Sequence, residues 1–257
     1  MSAGKEGGRH SGERSYWNEM AGDFDGEIFD VCGSDRAGLV FGHIRKLASR
    51  SRTALDVGCG IGRTLPQLSK LFGQVCGADI SGRCLARAAR LRLPNVTLLR
   101  ADITRPNCRL PKSDVVVCIN TILSPSVADS GRSLDALRRA LTPGGAAVVV
   151  VPALESVLYA RARIIEHCWR RKKKPSLLLD QYCKLGREQG SGQPVAVIDG
   201  IRTKHFLREE LLAAFEQRRF RNVRIEKVEY DWASEMADPP WPDRPPYPWD
   251  WCVTATI

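Results

Sequence analysis

Apolar runs recur through the middle of the chain, at 53–57, 74–79, 96–100, 114–119 and 146–151, and each reads as a strand. Between several of them the apolar positions change to helical spacing, at 64–72, 81–91 and 131–141. Strands alternating with helices predict an α/β fold: a mostly parallel sheet with helices on both faces. Before these runs, Arg36 to Leu47 carry a helical pattern that stops at Ser49-Arg50-Ser51-Arg52. After them, Lys204 to about Gln217 reads as a helix, 223–228 as a sixth strand and 252–257 as the last. Ligands of such sheets lie beyond the carboxyl ends of the strands, so the residues closing each strand are expected in one cleft.

The first of those ends is Leu55-Asp56-Val57-Gly58-Cys59-Gly60-Ile61-Gly62-Arg63-Thr64. Glycine lets the backbone take positive φ and approach a ligand closely, and the free N–H groups of the following helix add a positive potential. A dinucleotide fingerprint spaces its glycines G-x-G-x-x-G. Here they fall at 58, 60 and 62, and Arg63 stands at the third fingerprint position. The pattern D-x-G-x-G-x-G resembles the first motif of class I S-adenosylmethionine (SAM)-dependent methyltransferases. In that family the loop cradles the carboxypropyl and ribose parts of SAM, which implies a cofactor role for Asp56, Gly58, Cys59, Gly60 and Gly62. An ordinary strand-to-helix turn through glycines is the alternative.

Later strand ends extend the resemblance. Asp79 closes the second strand, 21 residues after Gly58, where a carboxylate can accept two ribose hydroxyls; Ile80 beside it can pack on adenine. Asp102, with Ile103, closes the third, at the place where the family's acid takes the adenine amine. Asn120 and Thr121 open the loop after the fourth, which lies below the SAM sulfur in the family. Leu141-Thr142-Pro143-Gly144-Gly145 matches the family's L-x-P-G-G turn before the fifth strand. Singly, Asp79 and Asp102 also suit helix N-caps. The resemblance covers about residues 53–151 and implies a doubly wound, seven-stranded, mostly parallel sheet whose last strand is antiparallel and inserted beside the fifth. It also implies a cap inserted at 152–204, read as helix, flexible loop and a short strand at 195–198. The whole methyltransferase domain is expected over 15–257, with a helical lead-in at 15–50. Within it Tyr16 and Trp17 resemble an aromatic pair that folds over the cofactor cleft in small-molecule methyltransferases; a surface anchor is the duller reading. Residues 1–14 are expected to be a disordered leader.

Composition narrows the setting. At 257 residues with 43% hydrophobic side chains, one α/β domain with an insertion can bury a substantial core. No apolar run reaches membrane-spanning length and the start has no apolar signal region, so a cytoplasmic protein with no membrane partner is expected. Nine cysteines without a C-x-x-C pair read as small buried hydrophobes in a reducing compartment, with no metal site. The net charge of +10 is concentrated in Arg161, Arg163 and Arg170 to Lys174, opposed there by Glu166. Such a run attracts an acidic substrate, a nucleic acid or an anionic membrane, or is a solvated face. Trp232, Trp241, Trp249 and Trp251 cluster in a proline-rich loop, read as a clamp on the sheet edge or as an aromatic wall for the acceptor.

Methyl transfer from a sulfonium needs acceptor, methyl and sulfur held in line, and a base only where the acceptor must lose a proton. Of the four histidines, His205 is the preferred base, with a packing role as its alternative; Tyr16 and Asp250 are further catalytic candidates. The loop Asn120-Thr121-Ile122-Leu123-Ser124-Pro125 lacks the N/D-P-P-Y/F motif of nucleic-acid amino methyltransferases, and aromatics do not interleave with the basic run. The expectation is a SAM-dependent methyltransferase acting at O or N of a small molecule, with nucleic acid not expected as a partner. An RNA or protein methyltransferase using 161–174, or a non-catalytic scaffold or activator subunit, are the alternatives.

Overall fold

The computed structural model describes residues 29–187, 194–198, 201–236 and 239–257. The leader 1–14, the lead-in up to residue 28 and with it Tyr16 and Trp17 lie outside the described residues. In chain order the first part runs α1 (Val31–Ser34), α2 (Leu39–Leu47), β1 (Thr53–Val57), α3 (Leu65–Leu71), β2 (Gln74–Asp79), α4 (Gly82–Ala88), β3 (Val96–Arg100), β4 (Ser113–Ile119), α5 (Val127–Ala140) and β5 (Leu141–Pro152). After β5 come α6 (Leu154–Arg170), α7 (Ser176–Tyr182), β6 (Leu185–Arg187), β7 (Pro194–Ile198), β8 (Ile201–Thr203), α8 (Arg208–Gln217), β9 (Arg221–Glu229), α9 (Trp232–Glu235) and β10 (Trp249–Thr256).

Seven strands form one sheet in the order β3-β2-β1-β4-β5-β10-β9. The first five are parallel, and β10 runs antiparallel between β5 and β9. The alternation predicted the parallel part of this sheet, and the resemblance to class I methyltransferases implied the antiparallel last strand beside the fifth. Burial explains the order. Leu55 and Val57 of β1 and Val116 and Cys118 of β4 face a core shared with α5 and α8 (Leu137, Phe215). Ala54, Val115, Val117 and Val148 face the opposite core, against α2 and α3 (Ile44, Leu68). Two-sided burial is why these strands read as continuous apolar runs. At roughly 1.5–3 kcal/mol per fully buried large aliphatic side chain, the two layers supply the main drive to fold.

The glycine turn before β5 is an irregular entry into the strand. Ser113 pairs with Leu141 and Val115 with Ala146, so β5 carries three extra residues there. Gly144 takes φ 75° to make this possible. Within 152–204 the expected loop falls at 188–193, outside the described residues, and the described ones form two helices and a separate three-stranded antiparallel sheet, β6-β7-β8. Its strands are three to five residues long, too short for periodicity to announce all but β7.

Candidate active site

The carboxyl ends of β1 to β4 open into one cleft. Asp56, Gly58, Cys59 and Gly60 line it from β1, and Asp79 and Ile80 from β2. Asp102 and Ile103 line it after β3, and Asn120 and Thr121 after β4. Residues spread over 66 positions of sequence are gathered because parallel strands with right-handed crossovers put all their ends on one edge.

Gly58 is required twice over. Its φ is 75°, and a Cβ there would sit 1.9 Å from Thr121 Oγ1. Thr121 Oγ1 in turn donates to the Val57 carbonyl at 3.1 Å, locking the β4 loop onto the end of β1. Gly60 also takes positive φ, 54°. Gly62 does not reach the cleft wall. At φ 90° its missing Cβ makes room for Leu91 and Ala88, so its part is to let α3 pack on α4.

Asp79 reaches back to the glycine turn. Its Oδ2 accepts from Gly60 N at 2.9 Å and its Oδ1 from Ser81 N at 2.8 Å. Burial raises its pKa, and those backbone N–H groups oppose the rise. It therefore fixes the loop that the ligand meets, a role its sequence position did not reveal. Asp56 is more deeply buried, and desolvation pushes its carboxyl up to about 7 against the hydrogen bond that Thr64 Oγ1 donates to it, with the Asp79 charge adding to the rise. Asp102 is committed locally: Oδ1 accepts from Thr104 N at 3.0 Å, and Arg105 Nε lies 3.2 Å from Oδ2. Cys59 is buried beside these acids, which keeps its thiol protonated.

Sequence reasoning missed several wall residues. Thr64 holds Asp56 and lines the cleft, and its signal was its place at the start of the helix after the glycine turn. Phe29 and residues 30–32 line the opposite side from α1, a helix too short to show a pattern. Burial and the neighbouring acids Asp30 and Asp56 push the Cys32 thiol up to about 12. Among the described residues no three of His, Cys, Asp or Glu cluster as metal ligands would.

The catalytic candidates are placed differently from the cofactor candidates. Asp250, at the start of β10, does not line the cleft. It is half-buried, and its Oδ2 accepts from Asn120 Nδ2 and from Tyr230 OH, each at 3.0 Å, while the Ala153 N–H also bonds it. Its carboxyl is spent on positioning Asn120, which takes φ 45° at the cleft wall. Fixing Nδ2 on Asp250 leaves Asn120 Oδ1 as a buried acceptor without a partner. His205 is also outside the wall and only 5% exposed. Its segment is pinned at the same edge of the sheet: Lys204 N donates to Leu123 O and Phe206 N to Pro152 O, both at 2.8 Å. His205 Nδ1 lies 3.1 Å from the Thr203 carbonyl and so donates to it, which leaves Nε2 unprotonated. Burial pulls its pKa down to about 4, with the Lys204 charge adding to the fall. Trp249 and Trp251 are buried between the sheet and α6, with Trp251 Nε1 donating to Glu155 at 3.1 Å and Tyr159 stacked near Trp249. Neither lines the cleft, and their packing is that of the clamp.

Residues 54–145 match the family model described as "Methyltransferase domain". That stretch of the chain is similar to a methyltransferase domain. Its sequence relatives include a dTDP-3-amino-3,4,6-trideoxy-alpha-D-glucopyranose N,N-dimethyltransferase of Streptomyces venezuelae, 30% identical over 125 residues, 48% of this chain and 51% of that protein. A trans-aconitate 2-methyltransferase of Deinococcus radiodurans is 37% identical over 101 residues, 38% of this chain and 37% of that one. The chain thus spans about half or less of the relatives it matches. Among solved structures, the DhpI-SAM-HEP complex superposes with a TM-score of 0.62 at 16% identity, covering 94% of each chain. A SAM-dependent methyltransferase from Anabaena variabilis gives 0.62 at 16% identity over 95% and 93%. At such identities the structural likeness speaks for the fold, and it extends the methyltransferase topology well beyond the matched 54–145.

Proposed function

We propose that this chain is an enzyme that binds S-adenosylmethionine in the β1–β4 cleft and transfers its methyl group to an oxygen or nitrogen of a small-molecule acceptor. The observation that carries the reading is the intact cradle: Gly58 and Gly60 in positive-φ backbone, Gly58 N–H held by the Ala78 carbonyl and Gly60 N–H by Asp79, with Asp56 lining the same cleft.

The residues fit this cofactor. The Asp79 carboxylate accepts backbone N–H groups of Gly60, Ser81 and Ile80, and its two oxygens together carry about four acceptor sites, which leaves room for a ribose hydroxyl. Ile80 and Ile103 give apolar wall for a purine. Asp56 offers a carboxylate to a cationic ligand. When bound, S-adenosylmethionine supplies a methyl already activated on a sulfonium. What the chain then has to do is orient an acceptor and exclude water. Asn120, held by Asp250 and Tyr230, stands at the wall after β4 and is suited to orienting a donor group of the acceptor. His205 carries its free nitrogen at Nε2, but burial outside the cleft wall and a pKa of about 4 suit it to packing better than to taking a proton from the acceptor. The 152–204 segment, which leaves the end of β5, is suited to covering the acceptor side. Support for a small acceptor comes from the relatives named for an amino-sugar nucleotide and for trans-aconitate. The free state of all nine cysteines supports a reducing, cytoplasmic setting.

The test is calorimetry with S-adenosylmethionine, followed by a screen of metabolites for S-adenosylhomocysteine release. Wild type should bind, and Asp79→Ala should weaken binding tenfold or more, because hydrogen bonds to charged groups are worth about 1.5–3 kcal/mol each. Unchanged affinity in Asp79→Ala removes the cradle from the cofactor site. Turnover with an RNA pool and with no metabolite would replace the small-molecule acceptor.

A further inference from the structure

Helix α6 is apolar on two faces. Ala160, Ile164 and Cys168 face inward and pack with Trp232 and Met236. Leu158, Ala162, Ile165 and Trp169, spaced four, three and four, form a second stripe that faces solvent. Leu158 and Ile165 are each 47% exposed and Trp169 is 78% exposed. A surface helix ordinarily puts charged residues on that side. Directly after Trp169 come Arg170, Arg171, Lys172, Lys173 and Lys174, all exposed, and then Leu177 at 76% exposure on α7. Lys172 takes φ 54°, turning the chain at the tip. Glu166 pairs with Arg163 and Arg170. Among the described residues no acid lies within ion-pair distance of Arg171, Lys172, Lys173 or Lys174.

We propose that this tip is a peripheral docking site for an anionic phospholipid bilayer, with Trp169, Ile165 and Leu177 entering the interface and Arg171 to Lys174 meeting headgroups. The two features that need a partner, bare aliphatic and aromatic surface and uncompensated positive charge, occur side by side. An RNA would answer the charge and stack on Trp169, but would leave Leu158, Ile165 and Leu177 in water. A second copy of this +10 chain would cover the stripe and leave the cations unanswered. An anionic bilayer answers both at once. None of the described helices is long and apolar enough to cross a membrane, so the contact is with the surface only. Every residue of the tip lies outside the cofactor cleft, so the site stands or falls independently of methyl transfer.

The test is co-sedimentation of the full chain with vesicles of phosphatidylcholine plus phosphatidylglycerol, against phosphatidylcholine alone. Binding is expected to the anionic vesicles only and to weaken with salt. Neutralising Arg171, Lys173 and Lys174 to Gln should cut partitioning roughly a hundredfold, at about fivefold per basic residue. Ile165→Ser with Trp169→Ser should cut it tenfold or more with S-adenosylmethionine affinity unchanged. Absence of binding to anionic vesicles overturns the proposal, as does full binding by the double Ser variant. Tighter binding to single-stranded RNA than to vesicles, or a wild-type dimer that Ile165→Ser dissociates, would assign the surface to those partners instead.

Discussion

Asp56 and Asp79 show how two carboxyls in one cleft acquire different tasks. Asp79 is half-buried and receives Gly60 N–H and Ser81 N–H, which favour its charged form. Asp56 receives Thr64 Oγ1–H alone among the named donors, and burial carries it to about 7. A cationic ligand stabilises a nearby carboxylate, so binding and ionisation of Asp56 are linked. Below about 7 the group holds a proton that a sulfonium ligand must displace; above it the charge is already present. Affinity for S-adenosylmethionine should therefore rise severalfold between about pH 6 and about pH 7.5, and Asp56→Asn should flatten the dependence. Titration calorimetry at the two pH values checks this, and an equal slope in the variant would mean another group titrates. Asp250 makes a related point. A carboxylate near a strand end invites the reading of a base, yet Asn120, Tyr230 and the Ala153 N–H have claimed it. That role depends on a contact 130 positions apart in sequence, which spacing alone does not reveal.

The glycine turn is the element whose conformation and function coincide. Gly58 and Gly144 both take φ 75°, but their surroundings differ: a Cβ on Gly58 would collide with Thr121 Oγ1, whereas one on Gly144 meets nothing within 4 Å. Left-handed backbone alone costs an L-residue about 1–2 kcal/mol. Gly144→Ala should lose about that much stability and keep cofactor binding. Gly58→Ala should lose more and, by pushing the β4 loop from β1, abolish detectable S-adenosylmethionine binding; denaturant titration and calorimetry on both variants separate the effects. Equal losses would mean that the Thr121 contact yields freely. At this scale much was legible beforehand. The β1 and β2 boundaries read from apolar runs, Thr53–Val57 and Gln74–Asp79, are those of the structure, and the strand-end residues do share a cleft. Buried parallel strands advertise themselves through unbroken apolar sequence, and their ends are then placed by topology. What stayed hidden depends on tertiary contact: α1 at the cleft, the β6-β7-β8 sheet, and the commitment of Trp249 and Trp251 to packing.

Among the described residues the seven-stranded sheet carries a core on each face, with a third cluster between α6 and the tryptophan loop. The sheet and the inserted segment meet where β5 ends, and His205 sits in that joint, between Lys204 bonded to the β4 loop and Phe206 bonded to Pro152. It is folded there in its neutral form, with a pKa of about 4 against 6.5 for a free imidazole. Between those values the unfolded chain binds a proton that the folded chain refuses. The contribution of His205 is thus fully present above about pH 6.5 and is lost as pH falls toward about 4. Asp56 acts with the opposite sign over part of the range, because its folded pKa is raised and its charged form is the one burial penalises. The difference between wild type and His205→Gln cancels that background. From about pH 7 down to about pH 5, wild type should lose about 2 kcal/mol of unfolding free energy relative to the variant. Urea denaturation at the two pH values measures it. If wild type and variant fall in parallel, His205 protonates without penalty, and its ring must then open to solvent in the folded protein.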